Sequence, residues 1–138
     1  MIACGSSYYA AMSAIWHFKH LKCFKKINIY DPVDLEPEDI TENEAVVMIS
    51  QSGETKDLIN IVQDCKNKNN VKTVGIINVE GSTLARKTDY PIYIKVGREV
   101  CVGATKSFFH QVLNLIYYAT LVAEKKQSAD MTIIKEIR

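Results

Sequence analysis

The chain has no C-x-x-C pair, and no histidine stands at metal-ligand spacing from its four scattered cysteines, Cys4, Cys23, Cys65 and Cys101. That excludes a zinc module and a disulfide framework, so the thiols read as reduced, cytosolic ones and no metal is expected. Charge of one sign is equally scarce: 17 Lys and Arg stand against 16 Asp and Glu, a formal net charge of +1. Without a basic stripe to follow a phosphodiester backbone, nucleic acid is excluded as a partner. The cluster Lys19, His20, Lys22, Lys25 and Lys26 reads as a solvated helix end. No apolar run approaches the roughly 18 residues of a membrane helix, and no signal-peptide pattern opens the chain. No membrane partner is expected, and the location expected is cytoplasmic. Repeats and low-complexity segments are absent too. What remains is 138 residues, enough for one compact domain with a core of its own.

Short β-branched runs alternate with longer helical segments, the pattern of a parallel sheet covered by helices on both faces. Strands are expected at Met1 to Ala3, Phe24 to Tyr30, Ala45 to Ile49, Lys72 to Asn78 and Tyr90 to Lys95. Helices are expected from about Ser7 to Leu21 and from Lys56 to Asn67, with a short turn at Ser82 to Arg86 and a long helix from Thr105 to Lys125. Residues 31–44 form an acidic connector with Pro32 and Pro37. Phe108, Phe109, Val112 and Ile116 give the last helix more apolar surface than one sheet face needs, which points to a helix-helix interface and a homodimer.

The stretch Ser50-Gln51-Ser52-Gly53-Glu54-Thr55 joins an apolar strand to a helix. Three hydroxyls, an amide and a glycine thus meet the unpaired amides and positive dipole end of a helix start, where an anion is favoured. No Lys or Arg lies within the turn, so it is not a nucleotide P-loop, and its neutral donors suit a phosphate held as a handle. A plain helix cap by Ser52 or Thr55 would use the same residues. Two further strand-to-helix loops, Cys4-Gly5-Ser6-Ser7 and the loop from Val100 to Thr105, converge with it at the carboxyl edge of a parallel sheet.

Four strings, Ala3 to Tyr8, Ile49 to Thr55, Asn78 to Arg86 and Thr105 to Phe108, resemble in order and spacing the first sugar isomerase (SIS) domain of the glucosamine-6-phosphate synthases, the isomerizing glutamine:fructose-6-phosphate aminotransferases. The resemblance implies a flavodoxin-like, three-layer α/β domain with a five-stranded parallel sheet over residues 1–126, followed by a tail or linker at 127–138. It implies sugar-phosphate binding by Ser7, Ser50, Gln51, Ser52 and Thr55, with the backbone at Val102 against the sugar and Gly5, Ser6, Gly53 and Gly103 nearby. No cofactor is implied; the expected partner is a phosphorylated hexose. The family pattern has Thr where Ser6 stands and Ala-Ser where Gly103-Ala104 stand, and the second change removes a hydroxyl beside the sugar.

In this family the glutaminase, the general base, the ring-opening histidine and the Schiff-base lysine come from other parts of the enzyme. No catalytic residue is therefore expected here, and turnover would need a complementing second SIS or glutaminase segment. Met1 falls about three residues before the Cys4 loop, so the domain reads as N-terminally truncated, with one edge of its core uncovered. Two other functions use the same residues. One is a stand-alone module that senses a phosphosugar without catalysis; the other is a small oligomeric isomerase, for which only Glu54 and Glu99 offer a base. Glu54 reads better as a first-turn acid pointing away from the phosphate, and Lys106 as a donor to a nearby carbonyl or to Glu99. His17, His20 and His110 read as surface residues, Cys4 as packing.

Overall fold

The computed structural model describes residues 1–97, 99, 104–127 and 134. Its strands are β1 (Ile2–Ala3), β2 (Ala45–Ser50), β3 (Lys72–Ile77) and β4 (Tyr90–Tyr93), and its helices α1 (Gly5–His20), α2 (Lys56–Lys66), α3 (Thr83–Lys87) and α4 (Lys106–Lys126). The strands form one parallel sheet in the order β1-β2-β3-β4.

Side chains of β2 alternate between two separate cores, as the period of a strand requires. Val47 and Ile49 join Val74 and Ile76 beneath α1 and α4, where they meet Ala11, Ala14, Phe18, Leu115, Ala119 and Ala123. Val46 and Met48 face the other way onto Leu58, Val62 and Cys65 of α2 and Leu84 and Ala85 of α3. The domain is therefore three-layered. In α1 the buried residues Ser7, Ala10, Ala11, Ala14 and Phe18 recur at the spacing of one helical face. His17, Lys19 and His20 then place basic groups at its carboxyl end, where the dipole favours them. Small residues on both α1 and α4 let these two helices come close. Truncating Phe18, 2 % exposed, would cost about 3 to 5 kcal/mol.

Among the described residues the sheet has four strands, where five were expected. Phe24 to Tyr30, expected as a strand, contributes one isolated parallel bridge, Tyr30 with Ile2. The Tyr30 amide donates to the Met1 carbonyl at 3.0 Å and its carbonyl accepts from Ala3 at 3.2 Å. The reason is local: β1 is only Ile2–Ala3, so beyond the 2.6 Å bond from the Met1 amino group to the Asn28 carbonyl it offers residues 24–27 no ladder to join. A cavity of about 280 Å³ opens there, lined among others by Met1, Phe18, Phe24, Tyr30, Ile40 and Val46. It lies at the amino end of the sheet and shares no residue with the hydroxyl-rich turns. The connector is ordered by two 3-10 turns, Pro32–Asp34 and Pro37–Asp39. Lys68 ties the connector down through the carbonyls of Pro37 and Ile40.

Candidate functional site

Parallel pairing fixes where the loops emerge. Ala3 is opposite Ile49, so Cys4 and Ser50 leave neighbouring strands side by side. From there Gly5, Ser6 and Ser7 open α1, and the turn Ser50 to Thr55 opens α2.

The turn is built by its own side chains. Ser50, 3 % exposed, accepts the Gly53 amide on Oγ at 3.0 Å and shares a 3.1 Å hydrogen bond with Thr55 Oγ1. Ser52 Oγ accepts from the Glu54 amide at 3.2 Å. Neither Ser52 nor Thr55 caps α2, whose N-terminus has no side-chain partner, and α1 likewise has none. The hydroxyl-rich turn therefore shapes the helix start without filling it. Between Ser50 and Thr55 there are two hydroxyl hydrogens and one mutual bond, so one hydrogen remains for a guest. Gln51 and Ser52 are half-buried at the rim.

Gly53 is the pivot. Its φ of +68° is left-handed, and a Cβ there would lie 2.1 Å from Ser82 Oγ and 2.9 Å from Ile77 Cγ2. This close approach locks the turn against the start of α3. The Leu84 amide donates to the Gly53 carbonyl at 2.9 Å, and the Thr83 amide donates to Glu54 Oε1 at 2.8 Å. Glu54 thus points away from the turn, as expected, but its charge goes to α3 and not, as a first-turn acid's would, to the dipole of α2. The Thr83 amide, then the Thr83 hydroxyl, hold its carboxyl below the ordinary range.

The N-terminus of α4 is arranged differently. Glu99 Oε1 accepts the amides of Thr105 at 2.8 Å and Lys106 at 3.1 Å, together with the Thr105 hydroxyl at 3.2 Å. Its other oxygen accepts from the Ser107 hydroxyl. These donors, Ser107 first and then the Thr105 amide, hold the Glu99 carboxyl down to about 2. Both candidate bases are thus strongly hydrogen-bonded carboxylates with lowered pKa values, the opposite of a base poised near neutrality.

Ser7 is buried at the α1/α4 contact, where its Oγ accepts from Gln111 Nε2 at 3.0 Å. Gln111 did not stand out in the sequence, because an amide on a helix face without a motif around it carries no signal. Gly5 and Ser6 are exposed on the first turn of α1. Val102 and Gly103 lie outside the described residues. Burial pushes the Cys4 thiol up, with the Asp31 and Asp57 carboxylates adding to it, which fits a packing residue rather than a nucleophile. His20 stacks on Trp16, and His110 bonds to the Lys106 carbonyl, so neither faces the turns. Among the described residues no group of His, Cys, Asp and Glu is set to hold a metal, and no helix is long and apolar enough to cross a membrane.

Comparison with known proteins agrees with this architecture. The family profile for the SIS domain matches residues 1–122, and the chain belongs to that family. It is 40 % identical over 121 residues to a probable glutamine--fructose-6-phosphate aminotransferase [isomerizing] of Acanthamoeba polyphaga mimivirus, covering 86 % of this chain and 20 % of the relative. The corresponding aminotransferase of Francisella tularensis is 34 % identical over 137 residues, covering 98 % and 22 %. The solved C-terminal domain of glucosamine-fructose-6-phosphate aminotransferase from Francisella tularensis superimposes with a TM-score of 0.86 at 31 % identity, covering 98 % of this chain and 38 % of that one. The chain spans about a fifth of the length of the curated relatives it matches.

Proposed function

We propose that this domain is the sugar-phosphate-binding lobe of the isomerase part of a glucosamine-6-phosphate synthase, acting in amino-sugar formation. The observation that carries the reading is the uncapped start of α2, ringed by Ser50, Ser52 and Thr55, beside the uncapped start of α1 with Ser6 and Ser7. These donors would take the phosphate of fructose 6-phosphate or glucosamine 6-phosphate, with Gln51 at its edge. The relatives' names support the sugar, and residues 1–126 would form the binding unit. Chemistry on the bound sugar would fall to groups contributed from outside this lobe, because Glu54 and Glu99 are already committed to helix ends. Calorimetric titration with glucosamine 6-phosphate tests the reading: saturable binding, competed weakly by inorganic phosphate, is expected, and no heat of binding at millimolar sugar phosphate would defeat it.

The partner of the lobe would dock on the outer face of the α1/α4 layer. Tyr9, Met12 and Trp16 recur on one side of α1, and Phe109, Leu113 and Tyr117 on one side of α4, all exposed. Such an aromatic stripe across two adjacent helices suits a second copy or a second SIS domain. Sedimentation should show a dimer or larger assembly at micromolar concentration, and a clean monomer would count against it.

A further inference from the structure

We infer that Gln111 is a positioning residue of the phosphate site, one that turns the Ser7 hydroxyl into a committed hydrogen-bond donor. The inference rests on the phosphate reading above and adds to it a residue outside every motif. Position 111 belongs to the buried face of α4 that continues through Leu115, Ala119 and Ala123. A core position flanked by these residues is served for packing by Leu or Met. Gln111 instead is 1 % exposed, donates from Nε2 to Ser7 Oγ at 3.0 Å, and leaves its Oε1 buried without a partner. An unpartnered buried acceptor is a standing penalty, so the amide is kept for what its other end does.

What that end does follows from the valence of a hydroxyl. Ser7 Oγ has one hydrogen and two lone pairs. With a lone pair engaged by Nε2, the side chain is held in one rotamer and its hydrogen is directed to another acceptor. Ser7 lies in the first turn of α1, whose N-terminal amides have no side-chain cap, so an anion seated there is an acceptor within the same turn. Gln111 thereby couples α4 to the two hydroxyl-rich turns even though Glu99 occupies the N-terminus of α4 itself.

The test uses glucosamine 6-phosphate, with inorganic phosphate as second probe, titrated into the full chain and its variants by calorimetry. Gln111→Met keeps the volume and removes the donor; it should weaken binding of both probes about tenfold while leaving the ligand-free melting temperature unchanged or higher. Ser7→Ala should weaken binding at least as much, and Ser7→Ala with Gln111→Met should be no weaker than Ser7→Ala alone, since the amide acts through the hydroxyl. Gln111→Leu serves as a second isostere with the same expectation. Unchanged affinity in the Gln111 variants, or losses that simply multiply in the double variant, would overturn the inference, as would failure of both isosteres to fold, which would make the amide structural. The phosphate reading fails separately: in that case the unaltered chain binds neither probe, or Ser50→Ala with Thr55→Ala binds both as well as the original.

Discussion

The N-termini of α2 and α4 face the same edge of the domain and are treated in opposite ways. At α4 the chain supplies its own anion, Glu99, held by two amides and two hydroxyls. At α2 Glu54 is drawn off to Thr83, and the helix start keeps the exposed first-turn Asp57 and the neutral hydroxyls of the turn, none of which caps it. Both termini carry the same positive dipole end, so the difference lies in what is left to satisfy it. One terminus is closed by a resident charge and so contributes to stability; the other, on the proposed function, would take its charge from the ligand.

The largest expected effect comes from removing the open terminus. Ser50→Ala with Thr55→Ala takes away the one hydroxyl hydrogen the pair keeps for a charged guest, worth about 1.5 to 3 kcal/mol, so sugar-phosphate affinity should fall about ten- to a hundredfold by calorimetry. Glu99→Gln should leave that affinity nearly intact and lower the melting temperature instead; the reverse pattern would erase the contrast between the two termini.

Gly53→Ala should be next. A left-handed φ costs a residue with a Cβ about 1 to 2 kcal/mol, and the collision with Ser82 adds about 1 to 3 more. Denaturant unfolding should register the sum as lost stability, with binding lost in parallel because the turn can no longer lie against α3.

The smallest effect separates the termini by pH. Glu99 is held at about 2, below its unfolded value, so its contribution is complete above the ordinary glutamate range and is lost as pH falls from there towards 2. A phosphate monoester dianion instead takes up a proton and becomes a monoanion near pH 6, as phosphorylated side chains do. Sugar-phosphate affinity should therefore drop between about pH 7 and 5, while the thermal stability of the ligand-free chain holds until well below. Coincident pH profiles would mean that resident and guest share one site.

Much of this contrast was legible in the residues, and the part that was not has a physical cause. The turn from Ser50 to Thr55 shows itself because strand, hydroxyls, glycine and helix are contiguous. The two cores show themselves in the alternation of β-branched runs with helical segments, which calls for helices on both faces of the sheet. The direction of Glu54 was also readable, though its destination on α3 was not, because the contact crosses 29 residues. The strand expected at Phe24 to Tyr30 forms only at its end, because its composition is that of a strand while pairing depends on a neighbour of three residues, Met1 to Ala3. Gln111 was silent because its meaning is wholly tertiary.

The hydrogen bond between Gln111 and Ser7 closes a separation of 104 residues along the chain. Joining the ends of a loop that long carries an entropic penalty of about 4 kcal/mol, whereas the layer of α2 and α3 is assembled from contacts between near neighbours. A chain emerging from the ribosome can therefore settle that layer and shape the Ser50 turn while α4 is still being synthesised. The donor that orients Ser7 arrives only near the end of the domain. Folding order thus runs from scaffold to grip: if the proposed site holds, a half-made domain would present the Ser50 turn before it could hold a phosphate firmly, and capture would begin when the last helix closes over the first.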